Sequence, residues 1–140
     1  GKCAQAEGIG DILTPLDSSL SLPLIVITPN AFVSTAKAYA GLKPQGLLVW
    51  EKAQTNIAKI GVSKAMDMYN HFESTVLKEY PEIAKIYHKL EETKPFKTLL
   101  SGSGASVFAV YESTEQQQLA LSTLRFEKRF FSGLGFLKNN

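Results

Sequence analysis

Six consecutive small residues, Ser101-Gly102-Ser103-Gly104-Ala105-Ser106, stand between two short β-prone runs, Lys97 to Leu100 and Val107 to Tyr111. This pattern predicts two strands joined by a glycine loop. Side chains this small let successive backbone N–H groups turn toward one concavity. Such a nest binds anionic oxygens without any side-chain charge. The same residues also suit a tight glycine connection that holds no ligand.

The rest of the chain supplies elements to pack around that pair. Leu24 to Thr28 is a continuous β-branched run closed by Pro29-Asn30, which predicts a fully buried strand. Ahead of it, Cys3 to Glu7 and Ile12 to Leu16 read as a hairpin turned by Gly8 and Gly10, with Pro15 at a strand end or edge. Ser34 and Thr35 offer hydroxyl N-caps for a short helix through Tyr39, and Gly41 suits the left-handed position after its end. Residues 43–50 read as a loop whose Trp50 docks back on the core.

From Glu51 to about Thr93 the composition is helical, with Gly61 and Pro81 as interruptions, so two or three helices are expected. In the last of them Ile83, Ile86, Tyr87 and Leu90 recur at helical spacing and leave Lys85, His88, Lys89 and Glu91 outside. Ser113 and Gln116 have the spacing of a capping box, and the helix they open should bury Ala120, Leu121 and Leu124. Phe130, Phe131, Leu134, Phe136 and Leu137 predict a closing strand. Strand, helices, strand, strand, helix, strand is the order of an α+β, ferredoxin-like split β-α-β sheet with helices on one face. One domain over 1–140 is expected, with 1–22 a preceding hairpin.

Composition narrows the function. At 140 residues the chain can bury about two thirds of its unfolded surface around a single core. Its longest apolar stretch, Leu22 to Thr28, is far short of the roughly 20 residues a membrane helix needs. One cysteine, Cys3, excludes an internal disulfide and favours a reducing, cytoplasmic setting. A net charge of +2 with scattered lysines gives no nucleic-acid footprint, and Arg125 to Arg129 reads as a solvated surface. His71 and His88 have no cysteine or carboxylate at ligand spacing, so no metal site is expected. Asn70 is read as bonding the backbone, a structural support.

Four segments in order carry a family resemblance. LSGSGASVFAVY resembles the third motif of the GHMP kinases, a small-residue loop entering a strand. AQAEGIGDILTPL, LPLIVITPNAFVSTAKAYAGL and YNHFESTVLKEYPEI are similar to segments of the branch that phosphorylates 4-diphosphocytidyl-2-C-methyl-D-erythritol. The resemblance spans about Cys3 to Tyr111. It departs at Asn70-His71, where the family usually has Asn-Asp.

This resemblance implies the C-terminal, substrate-side domain of an ATP-dependent small-molecule kinase of bacterial cytoplasm. Thr35 and Tyr39 match positions where the family contacts the cytosine of its substrate, and an aromatic ring can stack on such a base. Read without the resemblance, Tyr39 could equally pack on the sheet and Thr35 could equally cap its helix. Ser101, Gly102, Ser103, Gly104, Ala105 and Ser106 would line the phosphate region between nucleotide and substrate. The family keeps its general-base aspartate, its lysine partner and the main ATP loop in an N-terminal domain. No residue here is therefore assigned as catalytic, and Asp11, Asp17 and Asp67 are not promoted to that role. ATP with Mg would be bound mainly by that other domain, beside which the 1–22 hairpin would sit. The chain alone is expected to be inactive. Two alternatives stay open: a stand-alone ferredoxin-like ligand-binding or regulatory module, and the C-terminal domain of another GHMP kinase such as one acting on homoserine.

Overall fold

The structure, a computed structural model, describes residues 4–15, 22–42 and 69–124. The expectations for Trp50, for 51–68 and for a closing strand at 130–137 lie outside the described residues. At the start, β1 (Ala4–Glu7) and β2 (Ile12–Pro15) form an antiparallel hairpin. Gly8 and Gly10 turn it at φ +66° and +92°, backbone that β-carbon-bearing residues avoid. The Asp11 carboxylate accepts from the Ile9 N–H at 3.1 Å and braces the turn. Ile12 to Pro15 is exposed throughout.

The second sheet contains β3 (Leu24–Ile27), β4 (Lys97–Leu100) and β5 (Val107–Val110) in the order β3-β5-β4. β5 runs antiparallel to both neighbours, so β3 and β4 are parallel with β5 between them. That is the split arrangement the element order predicts. Cross-strand register puts Ile25, Ile27, Ala109, Val107, Thr98 and Leu100 on one face.

That face is covered by helices. α1 (Thr35–Ala40) begins with Ser34, whose Oγ accepts from the Lys37 N–H at 3.4 Å. α2 (Glu73–Glu79) and α3 (Pro81–Glu92) are separated at Tyr80, with Pro81 at the first position of α3, where its missing N–H costs nothing. α4 (Thr114–Thr123) starts at Ser113, whose Oγ accepts from the Gln116 N–H. The Gln116 side chain accepts in turn from the Glu112 N–H, one residue beyond the donor of an ideal capping box.

The core joins Ile25, Ile27, Val107, Ala109, Leu100 and Tyr111 of the sheet segments to Val33, Ala38, Val76, Ile83, Ile86, Leu90 and Ala120. Leu121 and Leu124 pack at its margin, as does Tyr87. Lys89, expected outside, is half-buried. Gly41 also differs from expectation. Its φ of −79° is right-handed, so the left-handed end is not used. Glycine is required there by space: a Cβ would stand 2.5 Å from Thr75 Cγ2, where α1 meets α2.

Candidate functional site

The loop 101–106 leaves β4 and enters β5, and its two ends are held by different elements. Register brings Ile27 opposite Val107, and one step further Thr28 Oγ1 meets Ser106 Oγ at 2.8 Å. On the other side the start of α2 reaches the outer edge of β4. Asn70 Nδ2 donates to the Leu100 carbonyl at 2.6 Å and to the Gly102 carbonyl at 2.8 Å, while its Oδ1 accepts from the Phe72 N–H. The Glu73 carboxylate accepts from the Leu100 N–H at 2.7 Å. Tyr87 of α3 donates to the Thr98 carbonyl at 3.3 Å. Among the described residues no strand pairs with that edge, and these side chains satisfy backbone groups that would otherwise invite pairing.

Glu73 is half-buried. Removal from water pushes its carboxyl above the ordinary carboxylate range; the Leu100 N–H and the Lys97 charge oppose this in part, and Glu91 adds to it. The Tyr87 phenol is pushed up to about 12 by burial and by the nearby carboxylates of Glu73 and Glu91. Sequence reasoning places Tyr87 on the core face of its helix, where it packs, and gives Glu73 no role. The signal is not local: Glu73 meets Leu100 27 residues further on, and Tyr87 meets Thr98 11 residues further on.

Within the loop the Ser101 N–H goes to the Ser106 carbonyl and the Gly104 N–H to the Ser101 carbonyl. Among the described residues the N–H groups of Gly102, Ser103 and Ala105 have no such partner. Gly102 has φ +56° and Gly104 φ +100°. The loop thus turns back on itself, and among the described residues part of its N–H set is left without a backbone partner, as in a nest that holds an anionic oxygen.

Facing the loop is α1. Thr35 does not cap this helix; Ser34 does, and the Thr35 hydroxyl is paired with Ser103 Oγ at 3.0 Å instead. Tyr39, one turn further along the same face, is 62% exposed. Its ring meets Phe72 edge-on, with centroids 4.9 Å apart and planes at 85°. It therefore packs on the segment that holds the loop rather than on the sheet. Thr35, Tyr39, Asn70 and residues 101–106 are brought to one region. His71 sits beside Tyr69, ring to ring at 4.7 Å. Among the described residues no group of three side chains suited to a metal ion occurs, and no helix is long and apolar enough to cross a membrane.

The model of the C-terminal domain of GHMP kinases matches residues 55–128, more than half of the chain. This chain belongs to that family. The GHMP kinase C-terminal domain is also the fold of similar solved structures. A 4-(cytidine 5'-diphospho)-2C-methyl-D-erythritol kinase superposes with a TM-score of 0.61 at 21% identity, over 85% of this chain and 44% of that one. A homoserine kinase from Cytophaga hutchinsonii gives a TM-score of 0.61 at 20% identity, over 79% and 39%. At these identities the likeness concerns the fold alone.

Curated relatives are closer in sequence. The chain is 36% identical over 135 residues to the 4-diphosphocytidyl-2-C-methyl-D-erythritol kinase of Thermodesulfovibrio yellowstonii, covering 91% of this chain and 45% of that protein. It is 34% identical over 133 residues to the enzyme of that name from Geobacter sulfurreducens, covering 93% and 46%. The GHMP domain described here thus spans a little under half the length of these relatives.

Proposed function

We propose that this GHMP domain is the substrate-side half of an ATP-dependent kinase that phosphorylates the 2-hydroxyl of 4-diphosphocytidyl-2-C-methyl-D-erythritol, a step toward isoprenoid precursors. The observation that carries the reading is the placement of an exposed aromatic, Tyr39, and a polar helix start, Thr35, beside a glycine loop with open N–H groups. A ligand with an aromatic base at one end and phosphates at the other matches that arrangement. The names of the curated relatives favour a cytidine-linked substrate over homoserine, and their length weighs against a stand-alone module.

In this reading Tyr39 stacks on the cytosine, Thr35 bonds its polar edge, and the N–H groups of Gly102, Ser103 and Ala105 face charge that develops on phosphate oxygens. ATP supplies the transferred phosphoryl group and magnesium offsets its charge. The open N–H groups fit a phosphate, whereas the described residues hold no carboxylate cluster for magnesium. The metal, the general base and most of the ATP contacts are assigned to the rest of the longer protein, beside which the 1–22 hairpin would sit. On this assignment the chain alone transfers no phosphoryl group.

The test uses the full-length protein with ATP and the cytidine-linked substrate. Tyr39→Ala should raise the substrate KM about fivefold to a hundredfold, the range of one lost base stack. An unchanged KM would refute the platform. Tight binding of a cytidine diphosphate ligand by the 140-residue chain alone, read by calorimetry, would instead favour a self-sufficient binding module.

A further inference from the structure

The loop is held unevenly. Its ends are fixed at partly buried bonds: Glu73 and Asn70 grip Leu100, and Thr28 pairs with Ser106. Its tip is different. Among the described residues Ser103 is the tip residue whose side chain bonds another element, and that bond, to Thr35 Oγ1, is exposed. Thr35 is the first residue of α1, and Tyr39 stands on the same face one turn later. The Thr35–Ser103 pair is therefore the direct side-chain link between the loop tip and the helix that carries the aromatic ring.

We infer that Ser103 is a positioning residue that couples base recognition on α1 to the phosphate loop. The inference rests on the proposed kinase reading and adds a role for the Ser103 side chain, distinct from its backbone N–H. A hydroxyl has one proton and two lone pairs, so Thr35 can be held by Ser103 and still bond a ligand. Ser103 then sets the direction of the remaining Thr35 valence and, through the loop tip, the separation between ring platform and open N–H groups. A ligand that carries both a base and a diphosphate must satisfy both ends at once. Misplacing one end relative to the other weakens the whole, even where each contact survives.

The experiment is a double-mutant cycle on kcat/KM in the full-length protein, with Ser103→Ala, Thr35→Val and the pair, using the cytidine-linked substrate at saturating ATP. Ser103→Ala should lower kcat/KM about threefold to tenfold, the loss expected for one hydrogen bond. In the Thr35→Val background it should lower it no further, because the partner is already gone. Ser103→Thr, which keeps the hydroxyl, should restore most of the loss. Melting temperatures should stay unchanged, since the bond between the two hydroxyls is exposed. The assignment is overturned if Ser103→Ala leaves kcat/KM within twofold, if the two losses multiply, or if stability falls while kcat/KM holds. A wild-type protein that transfers no phosphoryl group to this substrate overturns the kinase reading, and this inference with it; that result needs no variant and is seen separately.

Discussion

Single side chains decide more here than their number suggests. The Thr98 hydroxyl is the described buried side-chain oxygen with no hydrogen-bond partner, in a residue only 2% exposed. An unsatisfied buried hydroxyl costs stability that an isosteric methyl does not. Thr98→Val should therefore raise unfolding free energy by about 1 kcal/mol in urea titrations, and a loss of stability would contradict the assignment. Glu73 sets a pH dependence of the opposite sense to a salt-bridged carboxylate. Its folded pKa lies above the ordinary 4.5, so the fold favours the neutral form. The contribution is fully present below pH 4.5 and is lost as pH rises through the higher folded value. Glu73→Gln keeps an acceptor for the Leu100 N–H, and its stability should decline less than wild type as pH rises from 4.5. Parallel curves for the two proteins would rule this out.

At the scale of elements, the glycine loop shows why small residues occur in a row. A Cβ on Gly104 would stand 3.3 Å from Val33 Cγ2 and 3.4 Å from Leu100 Cδ1, and the backbone there has φ +100°. At Gly102 a Cβ would meet nothing within 4 Å, and φ is +56°. Gly104→Ala should accordingly cost about 2 kcal/mol or more, and Gly102→Ala about 1 kcal/mol. Equal losses in thermal unfolding would show that packing against Val33 is irrelevant. The loop itself was legible from its composition. Of its anchors, Asn70 reads as bonding the backbone, and it does; the Thr28–Ser106 bond was not legible, because the two lie 78 residues apart and only the β3–β5 register brings them together. Likewise Gln117, a polar residue to which the sequence reading gives no place, is buried and donates to the Leu24 carbonyl at 2.6 Å.

For the whole molecule, the hairpin raises the question of what it packs on. Ile9 is 97% exposed and Leu13 63%, with Ile12 also exposed. A two-stranded hairpin in water is marginally stable by itself, and exposed apolar side chains favour association. The isolated chain should associate with rising concentration, and Ile12→Lys combined with Leu13→Lys should reduce that association in sedimentation velocity. Association indifferent to both substitutions would remove the hairpin as its cause. In the longer protein the same residues are those proposed to lie against the ATP-binding half.

The element order, the split sheet, the helix starts at Ser34 and Ser113 and the core face of α3 follow from the sequence, because each rests on local spacing or on one residue's backbone preference. Apart from Asn70 as a backbone-bonding support, what holds the loop followed only from the tertiary structure. Thr35 as a bridge rather than a cap, Gly41 as a close approach rather than a left-handed turn, and Glu73 as a support for β4 all depend on which strand edges and helix ends come to face one another. Those pairings join residues far apart in the chain, and no local pattern encodes them.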